Sequence, residues 1–410
     1  MRVLLVHKFH KYTGGAEVFY LEVGRVLAEH GHEVAYFSTL DDDTLDNAYK
    51  DYFVKAPNFK TGGILGQVKA FLKIPYNFEA KKAIGKLLDD FKPDVVHAFG
   101  VITQLSPSVF DAVSARNIPL VVSLNDYKHI CPASKFFHHG ALCEDCRGGT
   151  FYKAVTNKCS HDSIKYSLAS SLESYIHDFL DIYKKNIDLF LFASDFMVNK
   201  TEEFWGANTF KWRKLKNPVN VSPKPISFEK GSYGLYFGRL SDEKGVELIL
   251  ESLKNLPTIE FKVVGDGPLL KDLVELAETF KLSNVEFLGA KWGSELDDIL
   301  YKAKYVVVPS LWYENFPYSI LQSFVAGVPV IGSTRGGIPE LIGDQRGLLF
   351  DPNNIASLTE AINTFDSDDE LAMQMGVFAR NYVEDNFSDE LFYQNLKEAY
   401  TDVVNMLNIR

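Results

Sequence analysis

A chain of 410 residues exceeds one ordinary core, so two domains are expected, and 46% hydrophobic with 24% charged residues is the composition of a protein folded in water. No apolar run reaches the ~18 to 20 residues that span a bilayer, and Met1 to Val6 followed by His7 and Lys8 reads as a strand rather than a signal peptide, which points to the cytoplasm. The net charge of −11 argues against general nucleic-acid binding, and it is unevenly spread, with 27 basic against 25 acidic residues up to Lys216 and 16 against 29 beyond it.

The first half alternates strands and helices. Strands are expected at Arg2 to Val6, Val34 to Ser38, Val95 to Phe99, Leu120 to Leu124 and Leu189 to Ala193, with helical patterns at Ala16 to Glu29 and Phe78 to Leu88. Between Lys60 and Lys86, six lysines against one glutamate interleave with Ile64, Leu65, Phe71, Leu72, Tyr76 and Phe78, which suits either a membrane-surface segment or a solvated helix with snorkelling lysines. Pro218, Pro223 and Pro225 mark a linker. The second half repeats the scheme, with strands at Gly234 to Phe237, Phe261 to Val264, Val285 to Leu288, Tyr305 to Val308, Val328 to Ile331 and Gly347 to Phe350, then helices at Leu358 to Phe365, Glu370 to Tyr382 and Asp389 to Leu407. Such alternation gives parallel sheets with helices on both faces, so the expected architecture is α/β, two Rossmann-like doubly wound domains facing a cleft. The first domain is placed at 1–217 and the second at 218–387, with a terminal helix over 388–410.

Four strand-to-helix turns carry chemistry. Gly14 and Gly15 open the first helix but lack the third glycine of a dinucleotide fingerprint. Gly238, Arg239 and Leu240 end a strand, with Lys244 and Gly245 just beyond; an arginine fork and a lysine point charge five residues apart can meet one diphosphate, or else form surface salt bridges. Gly265, Asp266 and Gly267 form a third turn, and Gly336 and Gly337 a fourth. The stretch Val308 to Phe324 joins a buried strand to a helix in which Pro317 suits the first position and Ile320, Leu321 and Phe324 share one face. It places Glu314 beside the free amides of a helix start, where an anion is welcome.

The order of Gly238-Arg239-Leu240 with Lys244-Gly245, Gly265-Asp266-Gly267-Pro268, Pro309-Ser310 with Glu314 to Phe316, Ala326-Gly327-Val328-Pro329-Val330, and Gly336-Gly337-Ile338-Pro339-Glu340 resembles the retaining sugar-nucleotide glycosyltransferases of family 4, with the GT-B fold. The resemblance implies transfer of a sugar from a UDP- or GDP-sugar to an acceptor hydroxyl without a catalytic metal or other cofactor, the acceptor losing its proton to the leaving phosphate. It places the donor on the second domain and the acceptor on the first, with the last helix crossing back to the first. Arg239 and Lys244 would bind the diphosphate and stabilise the departing nucleotide, Glu314 would meet sugar hydroxyls, and the backbone of Phe316, Pro317, Tyr318 and Ser319 would hold the donor. Two positions depart from the family: Gln322 stands where a glutamate binds the ribose, and Asn125, before Asp126 and Tyr127, stands where a histidine approaches the transferred sugar. His97 is a further acceptor-side candidate.

Cys131, Cys143, Cys146 and Cys159 fall in one insertion, where four thiolates could form a structural zinc site or else stand as unlinked thiols or disulfides. With the lysine-rich segment, the acceptor is expected to be a saccharide or lipid-linked saccharide for cell-surface polysaccharide or glycolipid, handled at the inner face of the membrane. The rival readings are an epimerase or phosphorylase of the same architecture, and a catalytically weak sugar-nucleotide-binding partner subunit.

Overall fold

The computed structural model describes residues 1–56, 73–219, 226 and 231–408. Residues 60–72 of the run from Lys60 to Lys86, and Pro223 and Pro225 of the expected linker, lie outside the described residues. The chain divides into two compact units, one comprising Met1–Phe136, Cys143–Pro218 and Asp389–Arg410, the other Phe137–Leu142 and Val219–Ser388.

In chain order the first stretch contains β1 (Arg2–Phe9), α1 (Gly15–Glu29), β2 (Glu33–Leu40), β3 (Val54–Lys55), α2 (Phe78–Phe91), β4 (Val95–Ala98), α3 (Ser108–Ser114) and β5 (Leu120–Leu124). A hairpin of β6 (Phe137–His138) and β7 (Ala141–Leu142) follows, then α4 (Lys153–Thr156), α5 (Ile164–Phe179), β8 (Leu189–Phe192), α6 (Asp195–Trp205) and β9 (Trp212–Lys214). Strands of the first unit form one sheet in the order β3-β2-β1-β4-β5-β8-β9, every pairing parallel. Its central strands are continuous apolar runs because helices cover both faces; β5, LVVSL, is buried throughout. The helices begin where the sequence supplies caps. Asn77 Oδ1 accepts from the amides of Glu79 and Ala80, both at 3.1 Å, and starts α2.

The second stretch contains β10 (Tyr233–Phe237), α7 (Val246–Leu253), β11 (Glu260–Val264), α8 (Leu270–Thr279), β12 (Val285–Gly289), α9 (Ser294–Leu300) and β13 (Tyr305–Val308). It continues with α10 (Tyr318–Val325), β14 (Val330–Ser333), α11 (Ile338–Ile342), β15 (Gly347–Phe350), α12 (Ile355–Ser367) and α13 (Asp369–Asn386), before α14 (Asp389–Asn408). The second sheet runs β12-β11-β10-β13-β14-β15, again parallel. That order reverses direction between β10 and β13, the switch point outside which open α/β sheets bind ligands. Ile320, Leu321 and Phe324 of α10 are fully buried in the core of this unit, and each such side chain contributes about 1.5–3 kcal/mol. Helix α14 belongs to the first unit, where Phe392, Leu396, Tyr400 and Val403 complete the core built by β1, β4 and α1.

Candidate functional site

The loops leaving β10 and β13 carry the charged residues singled out by the sequence. Leu240 N–H donates to Asp266 O at 2.9 Å and Gly238 N–H to Val264 O at 3.0 Å, so the loop after β10 is laced to the turn Gly265-Asp266-Gly267 after β11. Tyr236 Oη donates to Arg239 O at 2.8 Å, fixing the backbone there. The Arg239 side chain is exposed and makes no ion pair among the described residues. A single 3-10 turn, Asp242–Lys244, ends at Gly245 with φ +66°, where a Cβ would lie 2.3 Å from Pro309 O. Only glycine lets the β10 loop rest on the β13 loop in this way.

Lys244 and Glu314 meet across that contact. Glu314 is 6% exposed, and its Oε1 accepts from Lys244 Nζ at 2.6 Å and from Ser310 Oγ at 2.7 Å. Its carbonyl accepts from Gly337 N–H at 2.7 Å, and Gly336, at φ +61°, passes so close that a Cβ would stand 2.1 Å from that oxygen. Burial pushes the Glu314 carboxyl up, but the Lys244 ammonium and the hydrogen bonds to the carboxylate outweigh it and hold the group below its ordinary value. The carboxylate is therefore ionised at neutral pH. Lys244 Nζ also sits 5.1 Å from the Trp312 ring centroid, a cation–π contact.

Helix α10 begins one residue later than the proline rule suggests. Pro317 is extended, with ψ 116°, and stands as the cap rather than the first helical residue; no side chain caps the helix. Phe316 packs on Phe387 in a tilted pair with ring centroids 6.0 Å apart, Ser319 O accepts from Ser323 Oγ at 2.7 Å, and Gln322 is exposed one turn into the helix. The positive end of the α10 dipole thus follows directly on Glu314 to Phe316.

Across both units the chain matches known families. The family model described as Glycosyltransferase Family 4 matches residues 13–222, and that described as Glycosyl transferases group 1 matches residues 220–382. The chain belongs to the family 4, or group 1, glycosyltransferases. An uncharacterized glycosyltransferase of Methanocaldococcus jannaschii is 29% identical over 225 residues, 53% of this chain and 60% of that relative. An uncharacterized 42.6 kDa protein in the cps region of Klebsiella pneumoniae is 26% identical over 90% of this chain and 96% of its own length. The UDP-Gal:alpha-D-GlcNAc-diphosphoundecaprenol alpha-1,3-galactosyltransferase of Escherichia coli is 27% identical over 48% of this chain and 53% of its own. Among solved structures, Anabaena HepE in complex with UDP and glucose superposes with a TM-score of 0.67 at 18% identity, covering 98% of this chain and all of that one. The fold is GT-B.

The first unit of this glycosyltransferase treats its candidates unequally. Gly14 and Gly15 are exposed at the start of α1. Asn125, just beyond β5, keeps Nδ2 buried with no hydrogen-bond partner among the described residues, while exposed Asp126 accepts from Lys128 N–H at 2.9 Å. His97 does not stand on the acceptor side. It is fully buried, its ring nitrogens 2.7 Å from Tyr400 Oη and 2.8 Å from Ser123 Oγ, and burial pushes its pKa down to about 3. It is a neutral core residue that ties β4 to α14.

Of the two readings of the cysteine cluster, the structure shows unlinked thiols. All four thiols are free, and among the described residues no three His, Cys, Asp or Glu side chains are arranged to hold a metal ion. Cys146 packs with Phe151 and Ala154, and Cys143 Sγ takes a contact from Asn157 Nδ2 at 3.9 Å. Burial, followed by the neighbouring cysteines, pushes the thiols of Cys146 and Cys159 up to about 12. Among the described residues the four side chains are thus unlinked thiols and are not gathered as metal ligands.

Sequence reasoning missed Ser310 and Trp312 as partners of the Lys244–Glu314 pair, and it missed His7 and Glu17. His7 lies fully buried near the carboxyl end of β1, its Nε2 3.9 Å from Glu17 Oε1. An acid on the buried face of α1, soon after the paired glycines, was the available signal.

Proposed function

We propose that this chain transfers a sugar, with retention of anomeric configuration, from a UDP- or GDP-sugar bound by the second unit to an acceptor hydroxyl held by the first. The observation that carries the reading is the Lys244–Glu314 pair, with exposed Arg239 on the same loop as Lys244, at the carboxyl ends of the two strands that flank the switch point. Arg239 and Lys244 grip the diphosphate and stabilise the negative charge that grows on the leaving oxygen. Glu314, kept ionised in a nearly dry site, accepts hydrogen bonds from donor-sugar hydroxyls. Peptide N–H groups near Gly265 to Gly267 and Phe316 to Ser319 hold the remaining donor oxygens, and Gln322 meets the ribose as a neutral hydrogen-bond partner. On the first unit, the buried amide of Asn125 donates to a hydroxyl near the reacting carbon. Retention follows when the acceptor hydroxyl gives its proton to the departing phosphate and attacks from the same face, so no protein nucleophile is required.

A lipid-linked saccharide for cell-surface polysaccharide or glycolipid, presented at the inner face of the membrane, is the acceptor class that suits the chain. Its likeness to the diphosphoundecaprenol-linked galactosyltransferase and to the cps-region protein supports this reading. The test is nucleotide release and product formation by the purified chain across UDP- and GDP-sugars, with product configuration read by NMR. Arg239→Ala and Lys244→Ala each lower kcat/KM by about 100-fold or more, as loss of a charge-assisted phosphate contact demands. Full activity in either variant refutes the site. The neutral Gln322 favours one second reading, a partner subunit that binds sugar nucleotides without turning them over; nucleotide binding without release at any acceptor would establish it.

A further inference from the structure

Helix α5 is inside out. Its buried residues are Ser167, Ser171, Glu173 and His177, each engaged in polar contacts. Ser171 Oγ donates to Phe151 O at 2.9 Å, Glu173 pairs with Lys128 at 2.8 Å, and His177 Nε2 bonds Pro75 O at 2.9 Å. Ser174, His177 and Asp178 of the same helix line a polar pocket of about 190 Å³ with Lys128, Tyr183 and Trp205. The apolar residues face outward instead. Ile164, Leu168, Leu172, Tyr175 and Phe179 recur every three or four positions, hence on one face, and are 58%, 57%, 53%, 38% and 88% exposed. They form a contiguous patch on the order of 500 Å², a size that marks a docking surface rather than scattered exposed side chains.

The charges around the patch identify what it docks on. Lys165 lies on the helix, Lys153 on α4 and Lys158 shortly after α4, and Lys184 and Lys185 follow the helix, against exposed Asp162 and Asp178 on or near the helix and Asp181 beyond it. The described end of the lysine-rich run arrives at the same helix, because Pro75 is the carbonyl that His177 holds. Three residues on, Phe78 is 76% exposed and packs on Tyr76 at 4.8 Å. A second copy of the chain would oppose lysines to lysines across such a face, whereas an anionic lipid surface neutralises them. No helix among the described residues is long and apolar enough to cross a membrane, but sixteen residues, about 24 Å, suffice to lie along one.

We propose that α5 lies in the interface of an anionic bilayer, its apolar face among the upper acyl chains and its flanking lysines at the headgroups, with the inner polar face turned to the pocket beneath. The proposal rests on the lipid-linked acceptor reading for its purpose, and its test is independent of catalysis. The purified chain is sedimented with phosphatidylcholine vesicles with and without phosphatidylglycerol. The wild type binds the anionic vesicles, more weakly in high salt, and the triple variant Leu168→Ser, Leu172→Ser, Phe179→Ser binds roughly 30-fold or more less tightly. These side chains are exposed, so the variant keeps the wild-type melting temperature and donor turnover in solution. A wild type that stays in the supernatant, or a triple variant that binds as well as the wild type, overturns the proposal. So does a wild-type dimer that the triple variant converts to monomer, which gives the face to a second copy. Vesicle binding by a chain that turns over no donor upholds the surface and removes the transfer reading alone.

Discussion

Replacing Lys244 with methionine keeps the stem of the side chain and deletes the charge that holds Glu314 ionised. Glu314 is then left 6% exposed with Ser310 Oγ at 2.7 Å, and an unpartnered buried carboxylate is costly. Losing one member of a buried pair costs about 3–5 kcal/mol; the Lys244 side chain is 26% exposed, so the pair is partly screened and about 2–3 kcal/mol is expected. The pH dependence distinguishes this cause from lost packing. In the wild type the folded-state pKa of Glu314 lies below its ordinary 4.5, so its stabilising contribution is complete above that value and is lost as pH falls through the folded-state pKa. In Lys244→Met, burial prevails and the folded-state pKa lies above 4.5. The variant is then closest to wild type near pH 4.5 and loses ground as pH rises toward 8. Thermal unfolding followed from pH 4.5 to 8 should show a melting-point deficit that grows to roughly 4–12 °C for a unit of this size. Adding Glu314→Gln should recover most of the deficit near pH 8. A deficit independent of pH, or one unrelieved by the second change, refutes the electrostatic account.

Gln322→Glu should tighten binding of UDP or GDP about tenfold in calorimetry, because a charge-assisted hydrogen bond to the ribose replaces a neutral one; unchanged affinity places the ribose elsewhere. Asn125→Ala removes a buried amide whose Nδ2 is unpaired, so transfer to acceptor should fall at least tenfold while the melting temperature holds or rises. His97→Phe leaves Tyr400 Oη and Ser123 Oγ without their ring partners and should cost about 2–4 kcal/mol in denaturant unfolding with no change in donor KM. With its pKa near 3, His97 should also show no titration by NMR between pH 5 and 8.

The strands were the readable part of this chain. Leu120–Leu124, Tyr305–Val308 and Gly347–Phe350 coincide with the expected strands residue for residue, because short apolar runs between turn residues admit no other pairing with the sheet. The edge strands β3 and β9, two and three residues long, carry too little pattern to register. Helix α5 escaped notice for the opposite reason: its hydrophobic face points away from the core, so periodicity gave no core to assign it to. At the site, the glycine turns and the positions of Arg239, Lys244 and Glu314 could be read locally. That Lys244 and Glu314 touch, 70 residues apart, depends on β10 and β13 being neighbours, which no local pattern specifies. His97 illustrates the converse, since a histidine at the end of a buried strand looks the same in sequence whether it meets a ligand or a tyrosine from the far end of the chain.

That tyrosine belongs to α14, and its place has a consequence for biosynthesis. Arg25 is tied to Asp389, and His97 to Tyr400, at sequence separations of 364 and 303. The half of the molecule that leaves the ribosome first therefore waits, its hydrophobic seat for α14 open to water, until translation has passed residue 408. The later half meets no such delay, so the order of completion is the reverse of the order of synthesis.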